Sequence, residues 1–269
     1  MADSEFSYEE LLEYAKKADA GDHHAMINFI LCSSVFANDP EMDAADDKVS
    51  EYITELENTR DTYAFLALGD AFLNNKAKMI KVSDNEQKLE EYKSVRKDLQ
   101  KAYEFYEKAI EIAKEPCDAT PAYAILGDAF YFGRGKEKNY KESFVKYKNA
   151  AAYSTHGEYM LAESYRLGRG TNKNLKLALK YYQICTHLKE CDKCQREPFS
   201  EIACYRTAKA YHYGWGTDVN MELAQKYIDA IASIIDEHHT YRSVTKEDLQ
   251  AEYDAIYKDL QLEQNNKRS

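Results

Sequence analysis

The sequence predicts an all-α array of stacked helix pairs, and three observations predict it. A short motif recurs in frame, helix breakers are scarce, and apolar residues keep helical rather than strand spacing. The 269 residues contain only 4 prolines and 10 glycines but 23 tyrosines. Few breakers and many large amphipathic side chains suit helices that pack closely and also present contact surface.

The repeat comes first, because a missed period misreads the whole fold. Residues 64–72 (AFLALGDAF) match residues 122–130 (AYAILGDAF), and LAESY at 161–165 and TAKAY at 207–211 fall in the same frame. Three residues after each final aromatic stands a Gly-x-Gly: Gly133 and Gly135, Gly168 and Gly170, Gly214 and Gly216. In the earlier unit Asn75 occupies the first glycine's place, so an altered turn is expected there. Each turn is followed by a second signature. Ala102, Phe105, Tyr106 and Ala109 correspond to Ser143, Lys146, Tyr147 and Ala150, to Ala178, Tyr181, Tyr182 and Cys185, and to Ala224, Tyr227, Ile228 and Ile231. Spacings of three, four and seven place each set on one helical stripe facing a neighbour. Each repeat therefore reads as helix A, a glycine turn and helix B. Gly135 and Gly170 are 35 residues apart and Gly170 and Gly216 are 46 apart, so the later unit carries an 11-residue insertion.

Boundary signals agree. Asp39-Pro40 and Thr120-Pro121 each offer an N-cap followed by proline at the first helical position, and Ser83 to Glu86 resembles a capping box. From there Leu89, Tyr92, Leu99, Ala102, Tyr106 and Ala109 keep helical spacing. This predicts either one helix over 84–114 or a short helix 84–97 broken from helix B. Tyr8 to Ala20 reads as a helix ending at Gly21, and 23–57 as a worn repeat without a glycine turn. Thr245 and Asp248 open a helix with Leu249, Tyr253, Ile256 and Leu260 on one face and charge on the other, as a terminal cap requires.

Leu-Gly, an aromatic, Gly-x-Gly, then Ala and Tyr pairs in a second helix: over residues 120–235 this pattern resembles the Sel-one-like repeat, a relative of the tetratricopeptide repeat. The resemblance implies a right-handed α-solenoid of antiparallel helix pairs, here with a C-terminal capping helix. It implies one domain over 1–269. Degenerate repeats occupy 1–60, a repeat with a long spacer 61–118, and Sel-one-like repeats 119–154, 155–199 and 200–240. The capping helix follows at 243–262 and a tail at 263–269. It further implies a scaffold or adaptor that binds another protein or peptide, with no catalytic residues and no cofactor. Thr207 in the Leu slot and Ala162 and Ala208 in the Gly slot depart from the pattern and bear on superhelical curvature.

The bulk numbers exclude other classes. The formal charge is −11, with acidic residues along the whole chain, which disfavours nucleic acid and anionic lipid as partners. No long apolar run predicts a spanning helix, and the acidic N-terminus MADSEFSYEE lacks a secretory signal's features, so a cytoplasmic location is expected. Gly-Arg-Gly-Lys at 133–136 lacks the strand and the longer glycine frame of a phosphate loop. No Ser/His/Asp or Cys/His arrangement is indicated, so the chain is expected not to be an enzyme.

Of the six cysteines, Cys191 and Cys194 lie in the insertion with Cys185, His187 and Cys204 near in sequence. They read as reduced thiols, a zinc pair or a redox pair, and a cytosolic location favours the thiols. The zinc and redox readings supply the alternative function, a metal- or redox-responsive regulator. Cys185 sits in a small-residue core slot. The pairs His23–His24 and His238–His239 read as surface residues, since adjacent side chains diverge on a helix. Glu104, Glu107 and Glu111 read as solvent-face carboxylates supported by lysines at i,i+4.

At 100° per residue, the positions two before, two after and five after the Leu slot point away from the Leu126 face. They are Ala124, Asp128 and Tyr131, then Tyr159, Glu163 and Arg166, then Tyr205, Lys209 and His212. By resemblance helix A lines the concave wall. Asp128, Tyr131, Tyr159, Glu163, Arg166, Tyr205, Lys209 and His212 are therefore the candidate partner-binding residues.

Overall fold

A computed structural model describes residues 8–33, 43–77, 87–186, 199–235, 250–251, 253–258 and 262. Among these residues the regular structure is helical throughout. The expected caps at Asp39-Pro40 and Ser83–Glu86, His187, Cys191, Cys194, the pair His238–His239 and most of the 243–262 helix lie outside them. The chain divides into two compact units, 1–137 and 138–269.

The first unit contains α1 (Tyr8–Ala18), α2 (His23–Ser33), α3 (Asp43–Asn58), α4 (Thr62–Ala77), α5 (Gln87–Ile112) and α6 (Thr120–Phe132). Gly21 closes the turn after α1 with φ +86°. Asn75 stands inside α4 rather than in a turn, because without glycine the backbone continues helically to Ala77. Helix α5 settles the open question over its described length: one helix runs unbroken from 87 to 112. Its stripe serves two neighbours. Phe105 and Ala109 join the core built from α1–α4, while Ala102, Tyr103 and Tyr106 pack with Ala122, Leu126 and Ala129 of α6.

Thr120 does not cap α6. A 3₁₀ turn over Pro116–Ala119 runs directly into the helix, making Ala119 the N-cap and Thr120 the first helical residue. The Thr120 hydroxyl is consequently buried without a hydrogen-bond partner. Glu104, Glu107 and Glu111 are exposed as expected. The ion pairs here reach beyond the helix, with Lys136 on Glu107 at 2.8 Å and Lys108 on Glu57 at 2.9 Å. His24 stacks on Tyr63, and His23 lies 3.9 Å from Glu55.

The second unit contains α7 (Tyr140–Ala150), α8 (Thr155–Leu167), α9 (Leu175–Cys185), α10 (Ser200–Tyr213) and α11 (Met221–Ile235). Within it α8 and α9 form one helix pair and α10 and α11 the next. Helices B bury most of the predicted stripes, namely Ser143, Tyr147 and Ala150, then Ala178, Tyr182 and Cys185, then Ala224, Tyr227, Ile228 and Ile231, whereas Lys146 and Tyr181 are half-buried. Towards the C-terminus Ile256 is fully buried, and the Tyr257 hydroxyl donates to Asp229 of α11 at 2.7 Å.

The glycine turns end α6, α8 and α10 in the same way. Gly133, Gly168 and Gly214 take left-handed angles, and each of their N–H groups bonds back to the carbonyl four residues earlier. The next N–H reaches the same carbonyl: Arg134 to Ala129, Arg169 to Ser164, Trp215 to Ala210. Two donors thereby satisfy an orphan helix-end acceptor. The second glycine serves stacking. A Cβ on Gly170 would stand 1.9 Å from the Tyr140 carbonyl oxygen, so only glycine lets the turn sit on the start of α7. Asn139, Asn174 and Asn220 then cap α7, α9 and α11 through their side-chain oxygens.

Candidate functional site

The eight positions expected on the helix A surface do not all face solvent. Tyr131, Tyr159, Glu163, Tyr205 and His212 are buried, while Asp128, Arg166 and Lys209 are intermediate. Helices A are enclosed on more sides than a single apolar stripe requires, because aromatic side chains fill the space beside them. Asp128 and Tyr131 belong to the first unit, where Tyr131 meets Phe132 edge-on at 4.9 Å.

The second unit gathers the other six into two connected clusters. The first centres on Glu163, held on α8. Its Oε2 accepts from Arg166 Nη2 at 2.6 Å and its Oε1 from Arg166 Nε at 3.0 Å, a bidentate fork one helical turn apart. Oε1 also accepts the Tyr182 hydroxyl of α9, and Arg206 of α10 approaches it to 3.1 Å. One carboxylate thus ties three helices. Burial alone would raise the Glu163 carboxyl, but the Arg166 and Arg206 guanidiniums and the Tyr182 hydroxyl hold it below its ordinary value. Burial beside that carboxylate pushes the Tyr182 and Tyr159 hydroxyls far up, so both stay neutral. The Tyr159 ring lies against Tyr182 and Phe199.

The second cluster centres on Lys209. Its ammonium sits 5.2 Å from the Tyr205 ring, 5.7 Å from Tyr213 and 5.8 Å from Trp215, and donates to the Tyr205 hydroxyl at 3.3 Å. Tyr213 stacks on Trp215, and the His212 ring lies tilted against Tyr213. Beside this cluster lies a cavity of about 360 Å³ lined by Arg166, Leu167, Lys173, Leu175 and Trp215. Sequence reasoning missed Lys173, Arg206 and Trp215. The signal was available: Trp215 is the only tryptophan and stands where the other turns carry Arg134 and Arg169.

Cys185 is fully buried, in keeping with its small-residue core slot, and Cys204 is also buried. Among the described residues no group of three or more His, Cys, Asp or Glu side chains could hold a metal ion. Among the same residues no helix is long and apolar enough to cross a membrane.

The sequence matches the Sel1 repeat over residues 92–112, 120–151, 155–184 and 202–232. No curated protein matches it. Among solved structures the chain resembles c5321, a protective antigen of uropathogenic Escherichia coli strains displaying an SLR fold. That likeness has a TM-score of 0.59 and 15% identity, and covers 93% of this chain and 44% of c5321. The chain therefore spans less than half the length of that protein. A Sel1 repeat protein from Oxalobacter formigenes is similar with a TM-score of 0.50 and 20% identity, over 83% of this chain and 78% of that one. Sel1-repeat proteins generally act as non-catalytic scaffolds for protein interactions. Four repeat matches spaced along residues 92–232 show that this stretch of the chain is built from Sel1 repeats, and the two solved structures share its fold.

Proposed function

We propose that this protein is a non-catalytic adaptor that binds a partner protein or peptide along its helix A surface. The observation that carries this reading is the side-chain arrangement in the second unit. Repeats that needed only to stack would bury apolar residues there, yet Glu163, Arg166, Arg206 and Lys209 are held in fixed geometry. Arg166 and Lys209 remain partly open to solvent. Rigid arginine and aromatic anchors lose little conformational entropy on binding, which is why they dominate contact energetics.

The buried members, Tyr159, Glu163, Tyr205 and His212, position this surface, whereas Arg166 and Lys209 touch the partner. Asp128 and Tyr131 do the corresponding work in the first unit. The working location is the cytoplasm. Co-purification with the full chain as bait tests the reading. A partner retained by the wild type and lost from the Arg166→Ala, Lys209→Ala double variant supports it. Undiminished retention by that variant, with its helicity intact, overturns the proposed surface.

A further inference from the structure

We infer that the cavity beside Trp215 binds an acidic peptide segment in which a carboxylate stands next to a bulky apolar side chain. This rests on the adaptor reading and names the chemistry of its partner. The first argument is charge. The whole chain carries a formal −11, yet two cations, Arg166 and Lys173, line this cavity. A third, Arg206, lines a small adjoining cleft that shares Arg166, Leu175 and Trp215. The carboxylate bound to these guanidiniums is Glu163, and it is shared between two of them and the Tyr182 hydroxyl. Among the described residues Lys173 has no acidic partner. Positive charge is therefore concentrated at one place on an acidic protein.

The second argument is a break in the repeat. The position two after the Leu slot is Asp70, Asp128 and Glu163 in successive repeats, and Lys209 in the last. The residue between the two turn glycines is Arg134, Arg169 and then Trp215. These two departures meet in space, since the Lys209 ammonium lies 5.8 Å from the Trp215 ring. An acid has been replaced by a base and a turn cation by the largest aromatic, in the same repeat and at the same site.

The third argument is shape. Leu167, Leu175 and Trp215 give the cavity an apolar wall, and Leu167 is 38% exposed. About 360 Å³ lies near the small end of ligand pockets and suits one or two side chains rather than a large cofactor. An apolar side chain fills that wall while its neighbouring carboxylate meets Arg166 and Lys173. Basic segments are repelled, and neutral ones leave Lys173 without a counter-charge.

Trp215 reports on the site directly, because the chain has no other tryptophan. Synthetic acidic peptides with a central Phe, Leu or Met are titrated into the full chain, followed by tryptophan fluorescence and by calorimetry. Two controls share the apolar residues but replace every Asp and Glu with Asn and Gln, or with Lys. The acidic set is expected to give a saturable signal that weakens as salt rises, and both controls to bind at least about tenfold more weakly. Lys173 is exposed, so Lys173→Glu keeps the fold, as circular dichroism verifies, and should weaken the acidic set by a similar factor. Equal binding of the amide control, no binding of the acidic set by either readout, or an unaffected Lys173→Glu overturns the inference. If Lys173→Glu still captures a native partner that the Arg166→Ala, Lys209→Ala variant loses, the adaptor reading stands and this one falls. If all variants capture it equally, both fall.

Discussion

The Tyr106 hydroxyl donates a 2.5 Å hydrogen bond to the Asp70 carboxylate, tying helix B of one repeat to its own helix A. Tyr182 makes the same tie to Glu163 in a later repeat. The two ties differ electrostatically. At Asp70 burial outweighs the tyrosine bond and the carboxyl is raised, whereas at Glu163 two guanidiniums reverse the effect of burial.

Glu163→Gln should therefore destabilise the protein by about 3 kcal/mol at pH 7, because it leaves two largely buried arginines without their counter-ion. The folded-state value of Glu163 is depressed, so its stabilisation is present above the unfolded value and lost as pH falls through the folded one. Urea unfolding of both proteins at neutral and acid pH should show the gap closing on acidification. A constant gap would contradict the assignment.

Asp70→Asn should act in the opposite direction. The folded-state value of Asp70 is raised, so its favourable contribution belongs to the protonated form and is lost as pH rises through that value. The amide oxygen still accepts from Tyr106, and a buried charge is removed. Stability at pH 7 should rise by on the order of 1 kcal/mol. A lower melting temperature in the variant would show that the charge itself is needed.

Two glycines separate backbone strain from steric clash. Gly21 and Gly170 both have positive φ, but a Cβ at Gly21 meets nothing within 4 Å. Gly21→Ala should cost about 1 kcal/mol, the left-handed penalty alone. Gly170→Ala adds a clash with the Tyr140 carbonyl and should cost roughly 3 kcal/mol or more. Denaturant midpoints of the two variants make the comparison.

Thiol labelling should be strongly graded among the described cysteines. Cys117 is exposed, while Cys32, Cys185 and Cys204 are buried. Burial also pushes the Cys32 thiol up to about 11, which removes its thiolate at neutral pH. Cys117→Ser should abolish the fast phase contributed by these four residues. Fast labelling at position 32 in the native state would contradict the packing of α2.

How much of this was legible beforehand depended on what each residue answers to. The glycine turns and the Tyr147, Tyr182 and Ile228 stripe could be read because backbone angle and helical period are local properties written in frame. The Asn139, Asn174 and Asn220 caps were equally local and were missed, though they recur with the same spacing as the glycines. Thr120 was misplaced because the 3₁₀ turn before it starts the helix one residue earlier. The enclosure of Tyr159 and Tyr205 was not legible: a helical wheel assigns direction but not what stands there. Phe199 against Tyr159 comes from the N-cap of α10 and Arg206 against Glu163 from α10 itself, and no period in α8 announces them.

The second turn glycine has a consequence for the chain's history. Gly135, Gly170 and Gly216 seat on Leu99, Tyr140 and Leu175, which occupy one equivalent slot of the preceding helix B. The last of these seats forms although Gly170 and Gly216 lie 11 residues further apart in the chain than Gly135 and Gly170. Docking of neighbouring repeats is thus decoupled from the number of residues between them, and added chain length costs little closure entropy. The α9–α10 connection is a natural graft point, where foreign sequence can be spliced in while the register of the stack is kept.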